Sequence, residues 1–188
     1  VHLVPFGEFI PPGFRWFINA FNVPLSDFAR GSFDQKPFSI ERKNHASVNA
    51  AITICYEDVF GGELASRIRN NPQPTNLLIN LTNLAWFGKS QAPTQQLRLS
   101  QLRSLETGLP ALRATNTGAT AVIDARGEVV ARLPYRTKGA LDATIQGNAG
   151  PITPYARWAG AWGLWPLMAW ALFWMALGLA LGGAKSRA

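Results

Sequence analysis

The chain has 188 residues, enough for one domain of ordinary size with an appendage and too few for two full domains. Hydrophobic residues make up 47% and charged residues 15%, which excludes intrinsic disorder; a single cysteine excludes an intramolecular disulfide framework. The net charge of +7 comes from scattered basic residues rather than one clustered face, so no nucleic acid is expected as partner. Cys55 with His2 and His45 is too small a set for a cysteine-rich zinc site, and nothing calls for a metal or organic cofactor.

In chain order, the first residue is Val1 rather than Met, and residues 1–5 already read as the inside of a structured segment. The sequence is therefore expected to continue upstream. Residues 14–28 (FRWFINAFNVPLSDF) crowd eight large apolar side chains into fifteen positions. Two readings stay open there: a core helix with a buried loop, or an apolar arm resting on a lipid surface with Arg15 and Arg30 near phosphates. Residues 47–54 (SVNAAITI) are rich in strand formers and end at Cys55. Residues 59–69 suit a helix after Gly61-Gly62, and residues 76–81 (NLLINL) suit a buried strand.

Residues 93–108 predict a helix: proline near its start, Leu102, Leu105 and Leu109 at helical spacing, and Gly108 at its end. Residues 119–124 and 128–133 flank Ala125-Arg126-Gly127, a hairpin signal, and residues 140–145 predict one more strand. Strands alternating with helices imply an α/β layered domain. The Gly- and Pro-rich stretch 147–154 (GNAGPITP) reads as a linker.

Residues 158–183 carry no ionisable side chain and exceed the roughly 20 residues that a bilayer core of about 30 Å requires, which predicts a transmembrane helix. Pro166 would kink that helix or start it late. Trp158, Trp162 and Trp165 suit an interfacial belt, and Lys185 and Arg187 favour a cytoplasmic C-terminus with residues 1–157 on the outer face.

Cys55 is the focal residue for chemistry. A thiol where a strand turns into a helix lies near free backbone N–H groups, which favour the thiolate and can hold an oxyanion. A lone cysteine in an apolar run is also a common packed small hydrophobe, and position alone does not decide between the two. Glu57, two residues on, would oppose ionisation as a bare charge. It makes more sense as a hydrogen-bonding partner of another catalytic group.

Five blocks carry a resemblance: HLVPFGEFIP (residues 2–11), ICYEDVFG (54–61), NLTNLAWFG (80–88), LRATNTGATAVIDARGEV (112–129) and TPYAR (153–157) before an apolar helix. In this order they resemble the bacterial apolipoprotein N-acyltransferases, inner-membrane members of the nitrilase (carbon–nitrogen hydrolase) superfamily. The resemblance implies a four-layer α-β-β-α sandwich and chemistry by a glutamate base, a lysine and a cysteine nucleophile. The cysteine would take an acyl chain from a phospholipid as a thioester and pass it to the α-amino group of a diacylglyceryl-cysteine on an apolipoprotein. Cys55 matches the nucleophile, and Glu8 and Glu57 match two glutamates around the lysine and thiol. Tyr56 and Trp86 match pocket residues, with Phe87 as their neighbour.

The resemblance divides the chain into part of a catalytic domain (1–147), a linker (148–157), a transmembrane helix (158–183) and a basic tail (184–188). It also exposes two departures. The family lysine falls just ahead of Val1 and the base glutamate further upstream, so this stretch alone is expected to be inactive. Leu84 stands where the family commonly has aspartate. Two other readings stay open: a membrane-tethered amidase in which water attacks the thioester, and a degenerate membrane scaffold.

Overall fold

The computed structural model describes residues 31–185. The block at residues 2–11 with Glu8, the apolar arm at 14–28 and the last residues of the basic tail, 186–188, lie outside the described residues. Strand β1 (Phe38–Arg42) and strand β2 (His45–Ile54) form an antiparallel hairpin. Asn44 takes its left-handed turn position with φ 62°, a conformation its short polar side chain tolerates. A 3-10 turn (Cys55–Val59) leads into helix α1 (Gly61–Asn70), then strand β3 (Leu77–Thr82) and a second 3-10 turn (Ala85–Phe87). Helix α2 (Ala92–Thr107) follows, then strands β4 (Ala111–Thr115), β5 (Ala121–Ile123) and β6 (Val129–Arg132), and helices α3 (Pro154–Trp162) and α4 (Trp165–Lys185).

The six strands form one mixed sheet in sequence order. β2, β3 and β4 are parallel, and their crossovers are α1 and α2; the remaining pairs are antiparallel hairpins. Period-2 alternation sorts the parallel strands into two faces. On one face Ala51, Leu78 and Ala111 lie in register and join Leu64 and Ile68 of α1 and Leu97 of α2 in the core. On the other, Ile52, Ile79 and Leu112 are half-buried, while Ile54 and Leu81 are each 47% exposed. That second face is the more apolar, since the first also carries Thr53, Asn80 and Arg113.

Several expectations hold with shifted bounds: β2, α1, β3, α2 and the β5–β6 hairpin all form. Gly108 ends α2 in the left-handed conformation with φ 67°, and Gly127 (φ 80°) closes the hairpin turn, where Asp124 accepts from the N–H groups of Arg126 and Glu128. The face of α2 differs from its leucine spacing. Leu102 and Leu105 are exposed, and the buried stripe is Leu97, Ser100, Arg103, Ser104 and Thr107. Buried polar partners, described below, outweigh the leucine pattern.

Residues 140–145 form no strand. The sheet ends at β6, and the chain then runs outside it to Asn148, which donates its N–H to Asn76 O at 3.0 Å and its side chain to Gly108 O at 2.6 Å. Thr153 Oγ1 then donates to Glu106 O at 2.5 Å and caps α3 by accepting from Ala156 N–H at 3.1 Å. Glu106 is ion-paired to Arg103 at 3.1 Å, yet burial raises its carboxyl above the ordinary range, with Arg103 opposing.

α3 crosses α1 through small residues: Ala65, Ala156 and Ala159 are buried together. A Cβ at Gly160 would lie 2.7 Å from the Ala65 carbonyl oxygen and 2.9 Å from its carbon. Gly160→Ala therefore gains up to about 1 kcal/mol of helix propensity but loses more to a backbone clash, about 1–3 kcal/mol. The expected result is a lower melting temperature for the variant; an unchanged or raised one would mean that the two helices slide apart freely.

The predicted single helix over 158–183 is two helices. α3 stops at Gly163, which takes φ 55° with its N–H on Ala159 O, and Pro166 sits in the first turn of α4. Among the described residues no single helix is long and apolar enough to cross a membrane. Pro154–Trp162 and Trp165–Leu179 pass that test only together, bent by 73°.

Candidate active site

β2 ends where its sequence changes from alternating apolar residues to CYED. The chain must turn there, and Cys55 does so with φ 51°, one of three described non-glycine residues at positive φ. Such strained positions cluster at functional sites. The thiol is half-buried, and its Sγ lies 4.0 Å from the Asn83 carbonyl oxygen. The first N–H groups of the following turn have no intrahelical acceptor, so they can receive developing negative charge.

Two sets of bonds hold this elbow. From within, Glu57 Oε2 accepts from Ile54 N–H at 2.8 Å, and Glu57 O accepts from Phe60 N–H at 3.0 Å. Glu57 is thereby placed beside Cys55 and nearly enclosed, 9% exposed. From beneath, Asp58 is anchored in a buried polar row. Thr53, Asn80 and Arg113 are register partners across β2, β3 and β4, so the pleat turns all three to the helix side.

Asp58 Oδ1 accepts from Thr53 Oγ1 at 2.7 Å, and Oδ2 accepts from Ser100 Oγ at 2.5 Å and Arg113 Nη1 at 3.3 Å. Arg113 Nη1 also reaches Asn80 Oδ1 at 3.0 Å, and Asn80 Nδ2 donates to Thr53 Oγ1 at 3.0 Å. The Arg113 side chain has no exposed surface, and its Nε and Nη2 have no partner. Burial pulls its guanidinium below the ordinary arginine range, and Asp58 is the first charge opposing this.

The NLAWFG loop lies over the thiol. A clasp of two asparagines shapes it: Asn116 Nδ2 donates to Asn83 Oδ1 at 2.7 Å, while Asn116 Oδ1 accepts from Leu84 N–H at 3.0 Å. Leu84 is 2% exposed and occupies a notch that Gly118 leaves open; a Cβ at Gly118 would come within 2.4 Å of it. Leu84 is thus accommodated as core. The backbone of Trp86 lies in the turn Ala85–Phe87, its side chain lies outside the described residues, and Phe87 is 47% exposed. The ring of Tyr56 meets Phe60 edge-on at 5.3 Å.

The structure thus brings together Cys55, Tyr56, Glu57 and the loop carrying Trp86 and Phe87. Sequence reasoning missed Asp58, Arg113, Asn80, Ser100 and the two asparagines. One signal was present: each parallel strand carries a polar residue within its apolar run (Thr53 in AAITI, Asn80 in LLINL, Arg113 in ALRA), which is worth burying only with a partner. Among the described residues no group of three or more His, Cys, Asp or Glu side chains is placed to hold a metal ion.

The chain is similar to known proteins along most of its length. An apolipoprotein N-acyltransferase of Ralstonia nicotianae is 51% identical over 160 residues, covering 85% of this chain and 29% of the relative. That of Nitrosomonas europaea is 49% identical over 162 residues (85% and 31%), and that of Vibrio cholerae 40% over 186 residues (97% and 33%). The chain therefore spans about a third of the length of these curated relatives. A solved amidase of the nitrilase superfamily from Nesterenkonia aligns with a TM-score of 0.44 at 18% identity, over 61% of this chain and 42% of that one. The pattern shared by carbon-nitrogen hydrolases runs through residues 2–152, taking in the whole sheet and the Cys55 elbow, and the chain belongs to that family.

Proposed function

We propose that this chain is the nucleophile-bearing part of an apolipoprotein N-acyltransferase. The observation that carries the reading is Cys55 itself, a half-open thiol on a left-handed elbow, facing a loop with exposed aromatic surface. In the first step the thiolate attacks the ester carbonyl of a phospholipid; the C–S bond forms, the ester C–O bond breaks, and the lysophospholipid leaves with a proton. In the second, the α-amino group of the apolipoprotein's diacylglyceryl-cysteine attacks the thioester; the C–N bond forms, the C–S bond breaks, and the proton lost by the amine returns to the departing sulfur. Splitting one acyl exchange into two is ordinary covalent catalysis.

Glu57 keeps the elbow in place, and the Tyr56 N–H receives the oxyanion. Glu8 is the second glutamate of the centre, and the thiol's proton leaves with the lysophospholipid. Tyr56, Trp86 and Phe87 line the acyl site. The apolar face of β2–β4 opposite the helices suits a second sheet, which supports the four-layer α-β-β-α sandwich. Exposed Trp162, Trp165, Trp170, Phe173 and Trp174 on the bent helices suit lipid, which supports a site beside a membrane.

The test uses the complete protein and a phospholipid with a labelled acyl chain. The expected result is label bound to protein, released by neutral hydroxylamine, and transferred to a synthetic diacylglyceryl-cysteine peptide with a free amine. Label recovered only as free fatty acid, with or without the peptide, would replace the transferase by a hydrolase.

A further inference from the structure

Gln96 lies on α2, one turn before Ser100, and has no part in the chemistry proposed above. Its Nε2 donates to the Cys55 carbonyl oxygen at 2.9 Å and to Thr82 Oγ1 at 3.3 Å. Its Oε1 is buried and has no partner. The Cys55 carbonyl can only accept, so the amide must present its NH2 group there. A side chain kept only to fill this space would do better as leucine or methionine, without an unpaired buried acceptor. What the glutamine supplies is the bond to Cys55.

That bond falls on the strained residue of the elbow. In a trans peptide the carbonyl and the next N–H point in opposite directions, and the described backbone has no cis bonds. Holding the Cys55 carbonyl toward α2 therefore turns the Tyr56 N–H away from α2. We propose that Gln96 is a positioning residue that locks the Cys55–Tyr56 peptide plane, keeping the thiol and the Tyr56 N–H aligned on the same acyl carbonyl. This rests on Cys55 being the nucleophile. Gln96 acts through the peptide and touches no substrate.

The experiment compares Gln96→Met, Gln96→Glu and Cys55→Ala in the complete protein, following thioester formation from labelled phospholipid together with thermal melting. Gln96→Met is expected to slow acylation by about 10- to 100-fold with KM for lipid unchanged, because a misaligned donor costs rate rather than binding. Its melting temperature should stay within about 2 °C of the parent, since the unpaired acceptor goes with the lost bond. Gln96→Glu adds a signature that packing cannot mimic: a protonated carboxyl donates to the Cys55 carbonyl, an ionised one repels it. Its rate relative to the parent at the same pH should rise as pH falls through the carboxyl's titration.

Acylation by Gln96→Met within about twofold of the parent overturns the proposal. So does a loss of rate that merely follows a loss of melting temperature, with no recovery of Gln96→Glu at low pH. If Cys55→Ala still takes up label, the nucleophile itself is wrong. If it does not while Gln96→Met is fully active, the positioning role alone fails.

Discussion

Cys55→Ala is expected to abolish the acyl-thioester, lowering transfer by roughly 10^4- to 10^6-fold, as loss of a covalent nucleophile does elsewhere. The fold should be almost unaffected. Sγ makes one weak contact, 4.0 Å from the Asn83 carbonyl, and the residue is only half-buried, so little packing is lost. Alanine keeps the Cβ, so the left-handed backbone is no more strained than before. Those two facts separate the readings. A cysteine that is merely a small hydrophobe would cost up to about 1 kcal/mol on truncation and leave chemistry alone. A nucleophile costs everything in chemistry and almost nothing in stability. Labelled phospholipid read out beside thermal melting measures both, and unchanged labelling in the alanine variant would discard the mechanism. Cys55→Ser sharpens the comparison, since a hydroxyl in the same place is far less ionised than a thiol and should also fail.

Much of the fold was legible because its signals are local. β2 and β3 are short apolar runs, α2 is bracketed by Pro93 and Gly108, and the β5–β6 turn is written in Asp124 to Gly127. β4 was hidden because ALRAT holds a charge in a five-residue run, and only its position between β3 and β5 shows why the charge is buried. Residues 140–145 have a strand's composition but form no strand, an outcome no local pattern reports. The apolar run after Trp158 forms two helices rather than one: hydropathy is blind to Gly163, where one φ angle divides it. In the site, Cys55, Glu57 and the AWFG loop came through the resemblance. The network under them did not, because Thr53, Asn80 and Arg113 meet only through strand register, 27 and 33 residues apart.

Asp58→Ala is expected to be the most damaging of the single changes to stability, at about 3–5 kcal/mol, because it leaves a buried charge uncompensated. The Arg113 side chain is 0% exposed and Asp58 4%, so water cannot take over. Two further donors, Thr53 Oγ1 and Ser100 Oγ, lose their acceptor in the same step. At about 2–4 °C per kcal/mol for a domain of this size, the melting temperature should fall by roughly 6–20 °C. Arg113→Met combined with Asp58→Leu removes both charges and should recover most of that loss, since a buried pair is worth little against well-packed apolar residues. Activity should not recover with it. Asp58 lies three residues past Cys55 in the same 3-10 turn and is tied to β2, β4 and α2 at once, so the pair fixes where the turn sits relative to Gln96 and the Asn83 carbonyl. A double variant that melts like the parent yet forms thioester poorly would separate the two contributions: the charges are dispensable for folding and needed for the geometry of the thiol. Full activity in that variant would show instead that backbone bonds alone hold the elbow.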